Sequence, residues 1–105
     1  MRFHEDPVIA FIVRAAAIEK AVRRVYLFGS RARNEQSDRS DYDLGVDWDL
    51  SVAGSWGQFA GQIRDGIPTL HQLDLVRLDL CADDLKNVIL GEGVLIYERQ
   101  DSKDL

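Results

Sequence analysis

The pair Gly29-Ser30, followed after ten residues by Asp41-Tyr42-Asp43, constrains this chain more than any other feature. Val25, Leu27 and Phe28 form an apolar lead-in that a glycine interrupts, and the small hydroxyl residue after it can open a helical turn. The pattern reads as strand, turn, helix. At such a junction unpaired backbone N–H groups and the helix dipole favour a bound phosphate, and a glycine lets the phosphate oxygens approach the backbone. Further on, Tyr42, Leu44 and Val46 alternate with Asp41, Asp43 and Gly45. One face of that strand is therefore apolar, and the other carries two carboxylates about 6–7 Å apart. Two acids facing one way beside a phosphate turn point to a divalent metal.

The remaining elements follow from periodicity. Asp6 is placed to cap a helix with Pro7 in its first turn, and Val8, Ile9, Phe11, Ile12, Ala15, Ala16 and Ile18 form its core face. The pattern predicts that this helix ends around Arg23-Arg24, with a first strand over Val25 to Phe28 and a helical turn from Ser30 to about Arg33. Asn34 to Ser40 is wholly polar and reads as a loop. A second strand runs from about Tyr42 to Val46. Trp56, Phe59 and Ile63 recur at helical spacing despite three nearby glycines, and Ile67-Pro68-Thr69 ends that helix. Leu73 to Leu78 reads as a third strand with Asp74 inside an apolar run, where an acid is costly to bury without a metal or donor. Asp83 or Asp84 can cap a helix through Leu85, Val88, Ile89 and Leu90 that stops at Gly91-Glu92-Gly93, and Val94 to Tyr97 forms the last strand. The order indicates an α+β architecture, helices packed on a small sheet, in one domain over 1–105 with a loose polar tail from about 100.

Composition narrows the function. A net charge of −5 argues against sustained contact with duplex nucleic acid, which needs a basic surface, and leaves room for a basic protein partner. A metal-bound nucleotide is a separate case, since Arg31, Arg33 and Arg39 lie in the motif loop. The lone Cys81 cannot form an internal disulfide and fits a reducing cytoplasm. The apolar run Val8 to Val13 carries Glu5 and Asp6 where a signal peptide would be basic, and it is too short to span a membrane. His4 and His71 lack ligand-spaced partners and read as surface residues, while Trp48 and Trp56 read as packing residues.

The Gly29-Ser30, ten-residue, Asp41-x-Asp43 arrangement resembles the signature of the polymerase-beta-type nucleotidyltransferase superfamily. Gly29-Ser30-Arg31-Ala32-Arg33, Ser40-Asp41-Tyr42-Asp43-Leu44, Leu73-Asp74-Leu75-Val76 and the closing Gly91 to Glu98 are similar to the minimal nucleotidyltransferases (MNT), which occur as antitoxins of HEPN-domain toxins. Asn34 departs from the glycine common at that position, but asparagine tolerates left-handed backbone. The resemblance implies a small mixed β-sheet of nucleotidyltransferase fold and transfer of AMP from ATP to a tyrosine of a partner toxin. It implies Asp41, Asp43 and Asp74 as catalytic and metal-holding residues, two Mg²⁺ ions, and Gly29 and Ser30 on the β and γ phosphates with Arg33 assisting.

That assignment is chemically coherent. Nucleotidyl transfer needs an attacking hydroxyl, an in-line leaving group and charge absorbed at phosphorus, and two divalent ions about 3.5–4 Å apart serve all three. Magnesium takes carboxylate, phosphate and water oxygens, so two or three aspartates suffice. Asp79 remains an alternative third acid. Two other functions stay open: an antitoxin that masks its toxin without chemistry, and transfer to a small molecule or RNA.

Overall fold

The structure, a computed structural model, describes residues 5–33, 41–69 and 72–100. The loop expected over Asn34 to Ser40, with Arg39, and also His4, His71 and the tail beyond Gln100, lie outside the described residues. Within them the order is α1 (Pro7–Ile18), β1 (Val22–Phe28), β2 (Tyr42–Trp48), α2 (Trp56–Gly66), β3 (Leu73–Arg77), α3 (Asp83–Glu92) and β4 (Val94–Glu98). The strands form one mixed sheet in the order β3-β2-β1-β4. β1 runs antiparallel to β2 and β4, and β3 runs parallel to β2.

One face of the sheet is closed by α1 and α2. Val25, Leu27, Leu44 and Val46 meet Ile12 and Ala16 of α1 and Phe59 and Ile63 of α2, all but fully buried. Each large aliphatic or aromatic side chain among them contributes about 1.5–3 kcal/mol by leaving water. Trp48, Trp56 and Phe59 pack together at the β2 end of this layer, with Trp48 and Trp56 edge to face at 5.4 Å. The opposite face is partly covered by α3, whose one buried residue is Ile89. A Cβ on Gly45 would come within 2.7 Å of Ile89 Cγ2, so glycine at this point of β2 is what lets the helix lie on the strand.

Several boundaries differ from the sequence reading. α1 stops at Ile18, and Arg23 and Arg24 belong to β1. The reason is a β-bulge: Val22 pairs with Trp48 and Arg24 with Asp47, leaving Arg23 unmatched. Val22 and Val25 are buried with both arginines between them at the surface, which replaces the two-residue strand period by a spacing that continues the helical one. β2 extends to Trp48 because Trp48 continues the inward alternation of Tyr42, Leu44 and Val46. β3 ends at Arg77, one residue before Leu78. Asp83 and Asp84 lie in the first turn of α3, where they favour the helix dipole, and the cap is Ala82 with no side-chain bond. Asp6 does cap α1, accepting from the Val8 N–H at 2.8 Å.

Candidate active site

The acids are brought together by strand register. β2 and β3 are parallel neighbours, and Asp43 is paired directly with Asp74. Residues so paired project to the same side of a sheet, at the strand spacing of about 4.8 Å. Both carboxylates therefore stand on the face opposite α1 and α2. Asp43 is half-buried while Asp74 is exposed, so the acid within the Leu73 to Val76 run is not buried at all: its apolar neighbours turn to the other face. Burial, repulsion from Asp74 and a hydrogen bond with Asp74 raise the Asp43 carboxyl above its usual range, with a further push from Asp41. That is the effect expected of a half-buried carboxylate held close to a second one.

The turn after β1 lies against this pair. Phe28, the last residue of β1, is paired with Asp43, and Gly29 follows with φ of 78°. A Cβ on Gly29 would collide with the Asp43 carboxylate, so both the left-handed backbone and the close approach require glycine. The Gly29 carbonyl then accepts from the N–H groups of Ala32 and Arg33 at 3.1 and 3.2 Å, which closes a helical turn over Ser30. The turn therefore opens beside Asp43.

A second set of contacts, not foreseen from the sequence, ties this turn to α1 and β2. The Arg31 guanidinium sits 3.8 Å above the Tyr42 ring, and the buried Tyr42 hydroxyl donates to Asp6 Oδ2 at 2.8 Å. Burial, then the bond to Asp6, pushes the Tyr42 hydroxyl up to about 12. Asp6 thus holds the first turn of α1 with one oxygen and Tyr42 with the other. Tyr42 reads as a plain inward residue in the alternation. A polar tip on a buried tyrosine always needs a partner, and that was the available signal.

The other sequence candidates separate clearly. Arg33 lies 3.8 Å from Glu92 at the end of α3. Asp79 falls in the turn after β3, clasped by Arg77 at 2.6 Å, and the bond from Arg77 holds its carboxyl below the usual range. The register brings Asp74, not Asp79, to Asp43. Asp41 is exposed just before β2 and acts on Asp43 through charge. Among the described residues no three acid, histidine or cysteine side chains are grouped to hold a metal ion, the expected trio of Asp41, Asp43 and Asp74 included; the structure brings together the pair Asp43 and Asp74. The donor set nevertheless fits a magnesium-like ion: hard carboxylate oxygens on an open face, few enough to leave positions for phosphate and water.

The family model for polymerase beta nucleotidyltransferases matches residues 12–102. The chain belongs to that family. Two solved structures share the nucleotidyltransferase fold. A toxin–antitoxin with AMP-PNP superposes with a TM-score of 0.64 at 22% identity, over 88% of this chain and 74% of that one. A mutant of the toxin–antitoxin MntA–HpeT gives 0.63 at 17% identity, over 95% of this chain and 75% of that one. No curated protein matches. In this nucleotidyltransferase the α+β mixed sheet expected from the sequence is present, and no helix among the described residues is long and apolar enough to cross a membrane.

Proposed function

We propose that this nucleotidyltransferase is the antitoxin of a toxin–antitoxin pair and transfers AMP from ATP to a tyrosine of a HEPN-domain partner in the cytoplasm, with Mg²⁺. The observation that carries the reading is the same-face pairing of Asp43 with Asp74, with the Gly29 turn packed against Asp43. The two toxin–antitoxin neighbours support the partner, and the one with AMP-PNP supports the nucleotide.

Asp41, Asp43 and Asp74 would hold the metal, which when bound supplies positive charge at the transferred phosphoryl group. Gly29 and Ser30 hold the β and γ phosphates through backbone N–H and hydroxyl groups, and Arg33 adds charge beside them. The acceptor hydroxyl oxygen bonds to the α phosphorus, the bond from that phosphorus to the β-phosphate oxygen breaks, and pyrophosphate leaves. Asp74, the more exposed acid of the pair, orients the hydroxyl and accepts its proton.

Incubation of the protein with its genomic-neighbour toxin, ATP and Mg²⁺ should add the mass of one AMP to the toxin, and Asp41→Asn should abolish both the addition and the neutralisation. Neutralisation without a mass change, equally good with Asp41→Asn, would replace this reading by simple masking.

A further inference from the structure

The turn that carries Gly29 and Ser30 is met by β2 on both faces of the sheet. On the acid face Gly29 lies against the Asp43 carboxylate. On the face closed by α1 and α2, the Arg31 guanidinium stacks 3.8 Å above the ring of Tyr42, the residue next to Asp43, whose side chain leaves the strand on the opposite side. The turn divides its arginines in the same way. Two positions along a helical turn differ by about 200° around its axis, so Arg31 and Arg33 point to opposite sides. Arg31 is half-buried on Tyr42, whereas Arg33 is exposed and lies 3.8 Å from Glu92 of α3.

Tyr42 is itself held firmly. Its hydroxyl donates to Asp6 Oδ2 at 2.8 Å, its backbone N–H donates to the Gln72 carbonyl at 3.0 Å, and it pairs with Leu73 at the start of β3. The ring under Arg31 is thus tied to α1 and to the strand that carries Asp74. Ten residues of chain separate Ser30 from Asp41, so contacts across space set the distance between turn and acids as well as the chain does. In-line transfer depends on that distance, because the phosphates and the acids must meet one reacting centre. We propose that Arg31 and Tyr42 are positioning residues of the transfer: their stack fixes the turn against β2, and Arg31 acts through Tyr42 instead of touching phosphate. This rests on the nucleotidyl-transfer reading and adds to it a division of labour within the motif, with Arg33 on the phosphate side and Arg31 as the anchor.

The test measures kcat and KM for ATP, with Mg²⁺ and the genomic-neighbour toxin as acceptor, in Arg31→Met, Tyr42→Leu, the double variant and Tyr42→Phe. Each of the first two should lower kcat roughly tenfold or more, because the turn is displaced from the acids, and leave KM within about twofold, because its backbone donors remain. The double variant should fall no further than the worse single one, since both remove the same contact. Tyr42→Phe keeps the ring and should restore kcat to within about threefold of the parent, although loss of the bond to Asp6 lowers its melting temperature. Without nucleotide, the amides of Ala32 and Arg33, which donate to the Gly29 carbonyl, should exchange faster in Arg31→Met and Tyr42→Leu but not in Tyr42→Phe. Arg31→Met and Tyr42→Phe decide the matter even if Tyr42→Leu fails to fold. A large rise in KM with kcat held in Arg31→Met would make Arg31 a phosphate ligand and overturn the inference while leaving nucleotidyl transfer intact, as would additive losses or unchanged amide exchange. A parent protein that transfers no AMP would reject the transferase reading and the positioning role together, and the exchange experiment would still show whether the stack holds the turn.

Discussion

Acids lie at and just beyond both ends of β2, and the two ends treat them in opposite ways. At the far end Asp49 is 5% exposed and is neutralised: Ser51 donates to it through backbone and hydroxyl, and Arg23 and Arg99 approach at 3.2 and 3.0 Å. Asp47 beside it meets Arg23 and Arg24 at 3.4 and 3.2 Å, and Arg24 reaches Glu98 at 2.9 Å. At the near end Asp43 faces Asp74 and feels Asp41, and no arginine or lysine among the described residues pairs with any of the three. The hydrogen bonds from Ser51, then the two arginines, drive the Asp49 carboxyl far below the usual range, whereas burial and repulsion drive Asp43 above it. A single strand thus shows what the same side chain does when its charge is answered and when it is left waiting. The answered acids tie the neighbouring strands together, and the others have no arginine or lysine partner among the described residues.

The strongest test is the same substitution at both ends. Asp43→Asn should lower transfer at least on the order of 10³-fold, the equivalent of about 4 kcal/mol of lost charge stabilisation. Its melting temperature should hold or rise, because a like-charge contact is removed. Full activity in that variant would break the contrast at once. Gly29→Ala comes next: left-handed backbone costs a non-glycine residue about 1–2 kcal/mol, and the added methyl displaces the Asp43 carboxylate, so transfer and stability should fall together. Calorimetry and turnover on one preparation would show whether the two losses travel together.

Asp49→Asn should do the reverse of Asp43→Asn, lowering the melting temperature more than either Asp→Asn change within β2, at Asp43 or Asp47, while leaving nucleotide KM unchanged. The pH dependence carries the same distinction. A carboxyl depressed in the folded state stabilises fully above its unfolded value, near 3.9, and that stability drains away as pH falls through it. Thermal melts should be flat from neutral pH to about 5 and then decline, and Asp49→Asn should flatten the decline. A variant that declines as steeply as the parent would assign the acid sensitivity elsewhere.

Smaller effects sharpen the picture of the turn. Ser30→Ala removes one hydroxyl but no backbone donor, so nucleotide KM should rise about fivefold, the worth of one ordinary hydrogen bond, with less change in kcat. Arg33→Ala removes an exposed pair with Glu92 and should shift stability by no more than about 0.5 kcal/mol. Its effect on KM measures how much of the Arg33 charge reaches phosphate.

The contrast also separates what could be read in advance from what could not. The strand, turn and helical turn around Gly29 were legible because glycine after an apolar run and before a small hydroxyl residue is a local instruction. The alternation of Tyr42, Leu44 and Val46 is equally local, and it placed Asp41 and Asp43 on one face from sequence alone. By contrast, the bulge at Arg23 depends on how β1 meets β2, and it moved two arginines from the end of a helix into a strand. Those are the arginines that answer Asp47 and Asp49. The linkage of Asp6, Tyr42 and Arg31 likewise joins three separate segments, and no spacing along the chain reveals it.

The sequence by itself determined the element order, the core faces and the acids that could serve a phosphate-bound metal, because backbone preference and side-chain period act over neighbouring residues. Only the tertiary structure decided which acids meet. Asp74 stands beside Asp43 because β3 pairs in parallel with β2 at that register, and Asp79 is withdrawn by Arg77 in the following turn. Register and ion pairing are properties of segments that find one another, and a linear chain carries no local mark of them.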